Sequence, residues 1–174
     1  TVTRTADEVQ ALKNELIDAT RAKSLPGYDP TGGLGWDRFM EKYSNGFDAA
    51  GRPSWKWPDA PPHTNGFTDG VSVPSDLKPG DMFERISFID QNGDIVDGSF
   101  GAPVGTDFQR LSLPPDRLGD NTVVVKYRVL KPLPEGVRMG DIAPGFGQPG
   151  HGVQHYFPGG VDILLTEGYL GVVK

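Results

Sequence analysis

The ten residues from Gly147 to Tyr156 constrain this chain more than any other stretch. Gly147, Pro149, Gly150 and Gly152 crowd its first part, and Val153-Gln154-His155-Tyr156 follows. Glycine permits positive φ and lets backbone approach another group closely, so the first part reads as a tight loop. The second part alternates with the period of a strand, Val153 and His155 on one face, Gln154 and Tyr156 on the other. Such an arrangement holds one amide side chain, Gln154, on rigid backbone. A surface loop entering an edge strand has the same pattern, and these residues alone leave both readings open.

The 174 residues suffice for one domain with a substantial core. Glycine (24) and proline (16) recur throughout, which calls for many turns and ordered loops, while three Trp, nine Phe and five Tyr argue against disorder. The balance of 17 basic against 23 acidic side chains argues against a general grip on nucleic acid. Any phosphate must instead be held locally by a few placed arginines. Cysteine is absent, so neither disulfides nor thiolate-bound metal carry the fold. No apolar run approaches the ~20 residues that span a bilayer. With neither an initiator Met nor a signal-like segment, the expectation is a fragment of a longer protein.

Residues 1–23 predict a helix, with Thr5 and Glu8 as a capping box and Val9, Leu12, Leu16 and Ala19 as its apolar stripe. A second helix is expected over 34–44, where Trp36, Phe39, Met40 and Tyr43 recur at helical spacing. Residues 51–80 lose all periodicity and read as a loop pinned by Trp55, Trp57 and Phe67; long ordered loops are often functional. His63 within it is a candidate ligand or acid–base group, though a solitary His among prolines more often caps or faces solvent. Strands are expected at 82–89, 123–130, 137–142 and 169–173, with a hairpin turn at Gln91-Asn92-Gly93-Asp94 and a short helix from Asp162 to Gly168. This is an α+β chain: helices first, then a mostly antiparallel sheet.

Phosphate-loop, zinc-protease and serine-hydrolase motifs are missing, and no glycine-rich dinucleotide motif lies between a strand and a helix. His151 and His155 are poorly spaced on a strand to share a metal, so no metal site is expected. What remains is Arg85, Phe100, Arg110 and Gln154. Two guanidinium groups suit a diphosphate, although each could equally pair with Glu84 or Asp107. An aromatic ring can stack on a planar base, and a neutral amide can hold a hydroxyl or a water.

The run from Gly98 through Pro115 resembles the signature G-x-[FY]-x-(A/S)-P-x-G-T-P-F-x-x-R-x-L-P-P of the tuberculosis necrotizing toxin family of NAD glycohydrolases. Pro79 to Arg85 is similar to that family's P-G-x-x-[IL]-D-R strand. Gly147 to Gln154 resembles its glycine-rich element ending in Gln, and Trp57 to Phe67 echoes its Y-P-P-N-x-G-F segment. Four motifs in family order cover about residues 55–173. Asp107 replaces the usual Pro, His155 stands where Tyr or Phe is common, and the 88–97 hairpin is longer than in the family.

The resemblance implies a single α+β domain with an ADP-ribosyltransferase-toxin-like architecture. A helical lead-in would occupy 1–50 and a catalytic domain 51–174. Its implied activity is cleavage of the nicotinamide–ribose bond of NAD+, and of NADP+, as substrates without further cofactor. Arg85 and Arg110 would grip the diphosphate, Phe100 would face nicotinamide, and Gln154, with Arg85, would be catalytic. Members are typically secreted toxin domains acting in a target cell's cytosol and neutralised by an immunity protein. An NAD-dependent transferase or cyclase, or a non-catalytic binding module, are the alternatives.

Overall fold

The computed structural model describes residues 3–23, 25–96 and 98–174; expectations touching Thr1, Val2, Ser24 and Asp97 lie outside the described residues. Helix α1 (Ala6–Arg21) starts where the capping box requires. The Thr5 hydroxyl accepts the Glu8 amide at 3.1 Å, and the Glu8 carboxylate accepts the Thr5 amide at 3.3 Å. Leu16 and Thr20 are its buried residues. Helix α2 (Trp36–Tyr43) buries Phe39 and Met40.

Beyond it the chain forms strands that its patterning did not signal, one before and others within the expected loop of 51–80. Strands β1 (Ser44–Phe47) and β2 (Pro53–Trp55) form an antiparallel hairpin. Its turn is organised by the Asp48 carboxylate, which accepts the amides of Ala50 and Arg52 at 2.9 Å each. A local carboxylate clamp of this kind supplies what hydrophobic alternation did not signal. After two 3-10 turns (Thr64–Gly66 and Thr68–Gly70) comes a second short strand within the expected loop, β3 (Val73–Pro74). Trp55 and Phe67 are buried, whereas Trp57 is 39% exposed.

The remaining strands are β4 (Met82–Ile89), β5 (Ile95–Val96), β6 (Phe100–Gly101), β7 (Thr122–Val129), β8 (Arg138–Asp141), β9 (Val153–Tyr156) and β10 (Leu170–Val172). Helix α3 (Val161–Thr166) precedes the last of them. Two antiparallel four-stranded sheets result, in the orders β10-β7-β4-β5 and β3-β8-β9-β6. The β4–β5 turn forms where Asn92-Gly93 predicts it, with the Asp90 carboxylate accepting the Asn92 and Asp94 amides. The sheets meet where Glu84 of β4 exchanges both backbone hydrogen bonds with Ala102, at 2.8 and 2.9 Å.

Phe83, fully buried, stacks on both Tyr127 (centroids 5.2 Å apart) and Phe157 (4.8 Å), tying the sheets together. Val125, Val129, Val137, Val161, Leu164 and Leu170 complete this core. Each such side chain contributes roughly 1.5–3 kcal/mol by leaving water. A second cluster joins the helices to the later chain: Leu16, Phe39, Met40 and Trp55 gather around Phe146. Among the described residues, no helix is long and apolar enough to cross a membrane.

Candidate active site

Beside the joint between the sheets lies a cavity of about 560 Å³, lined by both sheets and by the loop carrying Trp57, Pro58, Asn65 and Gly66. That size is within the range of small-molecule sites. Arg85, Phe100 and Gln154, distant in sequence, all line it.

Arg85 enters from β4. Its Nη1 donates to the Phe100 carbonyl at 2.6 Å and its Nε to the Ser87 hydroxyl at 3.2 Å. Gly98 makes room for this guanidinium, since a Cβ there would lie 2.4 Å from Nη2. Phe100 pairs with Tyr156 across β6 and β9, and the two rings stack at 5.1 Å and 28°. Strand alternation puts Gln154 on the same face as Tyr156. Gln154 is 9% exposed, and its Nε2 donates to the Asn65 carbonyl at 2.9 Å. Asn65 is itself in left-handed conformation, φ 58°. The amide is therefore oriented by a loop 89 residues away in sequence.

Arg110 is not among the lining residues. Its Nη2 donates to the His151 carbonyl at 2.9 Å, on the outer side of the glycine loop. It belongs to a 3-10 turn, Phe108–Leu111, in which successive residues point about 120° apart. Leu111, one residue on, faces the cavity instead. Counted back from Leu113-Pro114-Pro115, the signature arginine falls at position 111, where this chain carries leucine.

A second cation reaches the cavity from a residue that sequence reasoning passed over. Arg117, in the 3-10 turn Pro115–Leu118, lines it together with Arg85. Its guanidinium lies over the Phe88 ring at 4.2 Å and the Trp57 ring at 5.2 Å. Burial pushes its pKa down, the Asp116 carboxylate opposes this, and the nearby Arg85 charge adds to it. Asp116 Oδ2 is 3.7 Å from Nη1, while its Oδ1 accepts the Trp55 indole N–H at 3.1 Å. Burial pushes the Asp116 carboxyl up, against the pull of Arg117 and that indole. The only signal available beforehand was a charge following Pro114-Pro115, which is typical of a solvated turn. Asp59 and Glu84 also line the cavity, and Glu84 Oε1 accepts the Gly105 amide at 2.9 Å.

The three histidines lie apart from this lining. His63 Nδ1 accepts the Asp69 amide at 3.0 Å, capping a turn. His151 pairs with Asp141 at 2.8 Å on the exposed side of β8. Burial alone would raise the Asp141 carboxyl, but hydrogen bonds from Thr68 and His151 hold it below the usual carboxylate range. His155 is buried on the face of β9 opposite Gln154, with Nδ1 2.8 Å from the Ser75 hydroxyl. Burial pushes its pKa down, against the charges of Asp76 and Asp81. No group of three or more His, Cys, Asp or Glu among the described residues could hold a metal ion.

In solved structures, the chain is similar to tuberculosis necrotizing toxin complexed with its immunity factor IFT. The TM-score is 0.57 at 21% identity, over 96% of this chain and 85% of that one. It also resembles Tse6 in complex with Tsi6, with a TM-score of 0.46 and 17% identity over 68% and 84% of the two chains. No curated protein matches the sequence. The first likeness shows a shared single-domain α+β fold, with an N-terminal helix followed by antiparallel sheets. The family model described as tuberculosis necrotizing toxin matches residues 76–173, which contain Arg85, Phe100, Arg117 and Gln154. The chain belongs to the tuberculosis necrotizing toxin family.

Proposed function

We propose that the cavity binds NAD+, and also NADP+, and hydrolyses the nicotinamide–ribose bond to nicotinamide and ADP-ribose. The observation carrying this reading is one cavity lined by an anchored arginine, a stacked aromatic pair and an immobilised amide, in a chain of this family. Nicotinamide in NAD+ is cationic and leaves as a neutral molecule, taking the bonding pair with it. The transition state therefore gathers positive charge on the ribose and needs no strong nucleophile. Water forms the new bond to C1′ and loses its proton to solvent.

The protein's part is positional. Arg85 suits the diphosphate, to which guanidinium binds bidentately. Phe100 and Tyr156 offer a flat wall for nicotinamide. Gln154, its Nε2 committed to Asn65, presents its amide oxygen to a ribose hydroxyl or to the attacking water. In biological terms, this reading makes the chain a secreted toxin domain of a larger protein that depletes NAD+ in a target cell. A cognate immunity protein would protect the producer.

Incubation with NAD+ and mass spectrometry of the products tests the reaction. Free ADP-ribose is expected, with turnover reduced on the order of 10²-fold in Gln154→Ala. A cyclic product or ADP-ribosylated protein would move the chain to transferase or cyclase chemistry. Wild-type turnover in the Gln154→Ala variant would refute the role given to Gln154.

A further inference from the structure

We propose that Arg117 is the second cation that holds the substrate diphosphate, replacing in this chain the signature arginine whose position Leu111 occupies. The inference rests on the reading of the cavity as an NAD+ site and deepens it. Leu111 lines the cavity and offers no charge, while Arg110 turns outward to the His151 carbonyl. Arg117 reaches the same cavity from the turn Pro115–Leu118, four positions past Leu113.

Three features suit it to an anion. The Phe88 and Trp57 rings hold the guanidinium at 4.2 and 5.2 Å, which limits its motion and leaves its N–H edge available for planar, bidentate contacts. Its carboxylate neighbour, Asp116, comes no nearer than 3.7 Å, beyond hydrogen-bond distance, so the ion pair leaves the N–H donors of the arginine uncommitted. Finally, Arg85 is near enough for the two positive charges to repel. A diphosphate between two such groups relieves that repulsion and forms charge-assisted hydrogen bonds to both. The competing account is that Arg117 only fills the slot between the two rings.

Calorimetric titration with inorganic pyrophosphate and with ADP-ribose, beside NAD+ kinetics, separates the two accounts. Arg117→Met is expected to raise the Kd for both ligands, and the KM for NAD+, by about tenfold to a hundredfold. The change in kcat should stay below about threefold, as for lost uniform binding. Adding Leu111→Arg to that variant restores a cation from the signature position and recovers at least half of the loss on a logarithmic scale.

A slot-filling role predicts a lower Tm with unchanged pyrophosphate affinity and no rescue by Leu111→Arg, and that result overturns the assignment. If the methionine variant does not fold, Arg117→Lys, which keeps charge but not the bidentate edge, is expected to weaken pyrophosphate at least threefold. Unchanged affinity there also overturns it, as does a loss of pyrophosphate affinity in Arg110→Met that Arg117→Met lacks. A wild-type chain that binds pyrophosphate through Arg117 but leaves NAD+ intact refutes the reaction and keeps the anion site. NAD+ consumption at wild-type KM by Arg117→Met does the reverse.

Discussion

Gly98→Ala isolates the grip of Arg85 from the stability of the fold. The backbone at Gly98 lies outside the left-handed region, so alanine is tolerated there conformationally. Its methyl, however, would lie 2.4 Å from Arg85 Nη2 and 2.9 Å from Cζ and Nη1. An ordinary contact needs about 3.5 Å. The guanidinium must therefore retreat by about 1 Å, enough to break or stretch its 2.6 Å bond to the Phe100 carbonyl. Because the clash falls on the end of a flexible side chain, the cost to stability is limited to that of the weakened hydrogen bond, about 0.5–1.5 kcal/mol. A displacement of about 1 Å in a positioning group can cost 10²-fold, so kcat/KM for NAD+ is expected to fall about 10- to 100-fold, mostly through KM. A spectrophotometric NAD+ assay on Gly98→Ala, Arg85→Met and the double variant completes a thermodynamic cycle. If Gly98→Ala acts through Arg85, it adds almost nothing in the Arg85→Met background. Wild-type kinetics for Gly98→Ala, or full additivity with Arg85→Met, would refute the argument.

The neighbouring Gly101 should respond in the opposite way. A Cβ there would lie 2.4 Å from the fully buried Phe83 ring, which cannot retreat, so Gly101→Ala is expected to lose about 1–3 kcal/mol in urea unfolding; unchanged stability would contradict the tight stack. His155 predicts a pH effect. Its folded pKa lies below the unfolded value of about 6.5, so the unfolded chain takes up the proton first and stability falls as pH drops below that value. The Tm of wild type is expected to decline between pH 6.5 and 5 more steeply than that of His155→Gln, and parallel profiles would sink this account.

The sequence made the strands legible where one face is buried and the other is not. In Met82–Ile89, burial of Phe83 and Ser87 writes a period of two into the residues. In Val153–Tyr156 the same alternation separates Gln154 from His155. Arg85 and Gln154 could be named because strand alternation fixes which way each points, whereas Phe100, where no strand was expected, stood out only through its motif. Arg110 could not be placed by the same means, since its turn has a period of three and a one-residue offset redirects the side chain entirely. The hairpin at 44–55 was hidden because Asp48 makes its turn by local hydrogen bonds rather than by hydrophobic patterning. Trp57 looked like an anchor by size alone. It does pack edge-on against the buried Phe146, but it stays partly exposed and also stacks with Arg117, contacts between segments far apart in the chain.

The second aromatic cluster also sets an order of events. Phe39, Met40 and Trp55 are synthesised early, but the ring that completes their packing, Phe146, comes some 90 residues later. The contacts that brace the glycine loop span longer intervals still: the Gly147 amide meets the Tyr43 hydroxyl across 104 residues, and Gln148 donates to the Asp29 carbonyl across 119. On a ribosome, the first third of the chain waits for its partner, and Gln154 and Tyr156 emerge only just after it. The cavity thus lacks a wall until nearly all of the domain has been made, and a truncated translation product ending before residue 154 cannot assemble it. In a cell that synthesises such a domain, this delay leaves partial chains without a complete cavity.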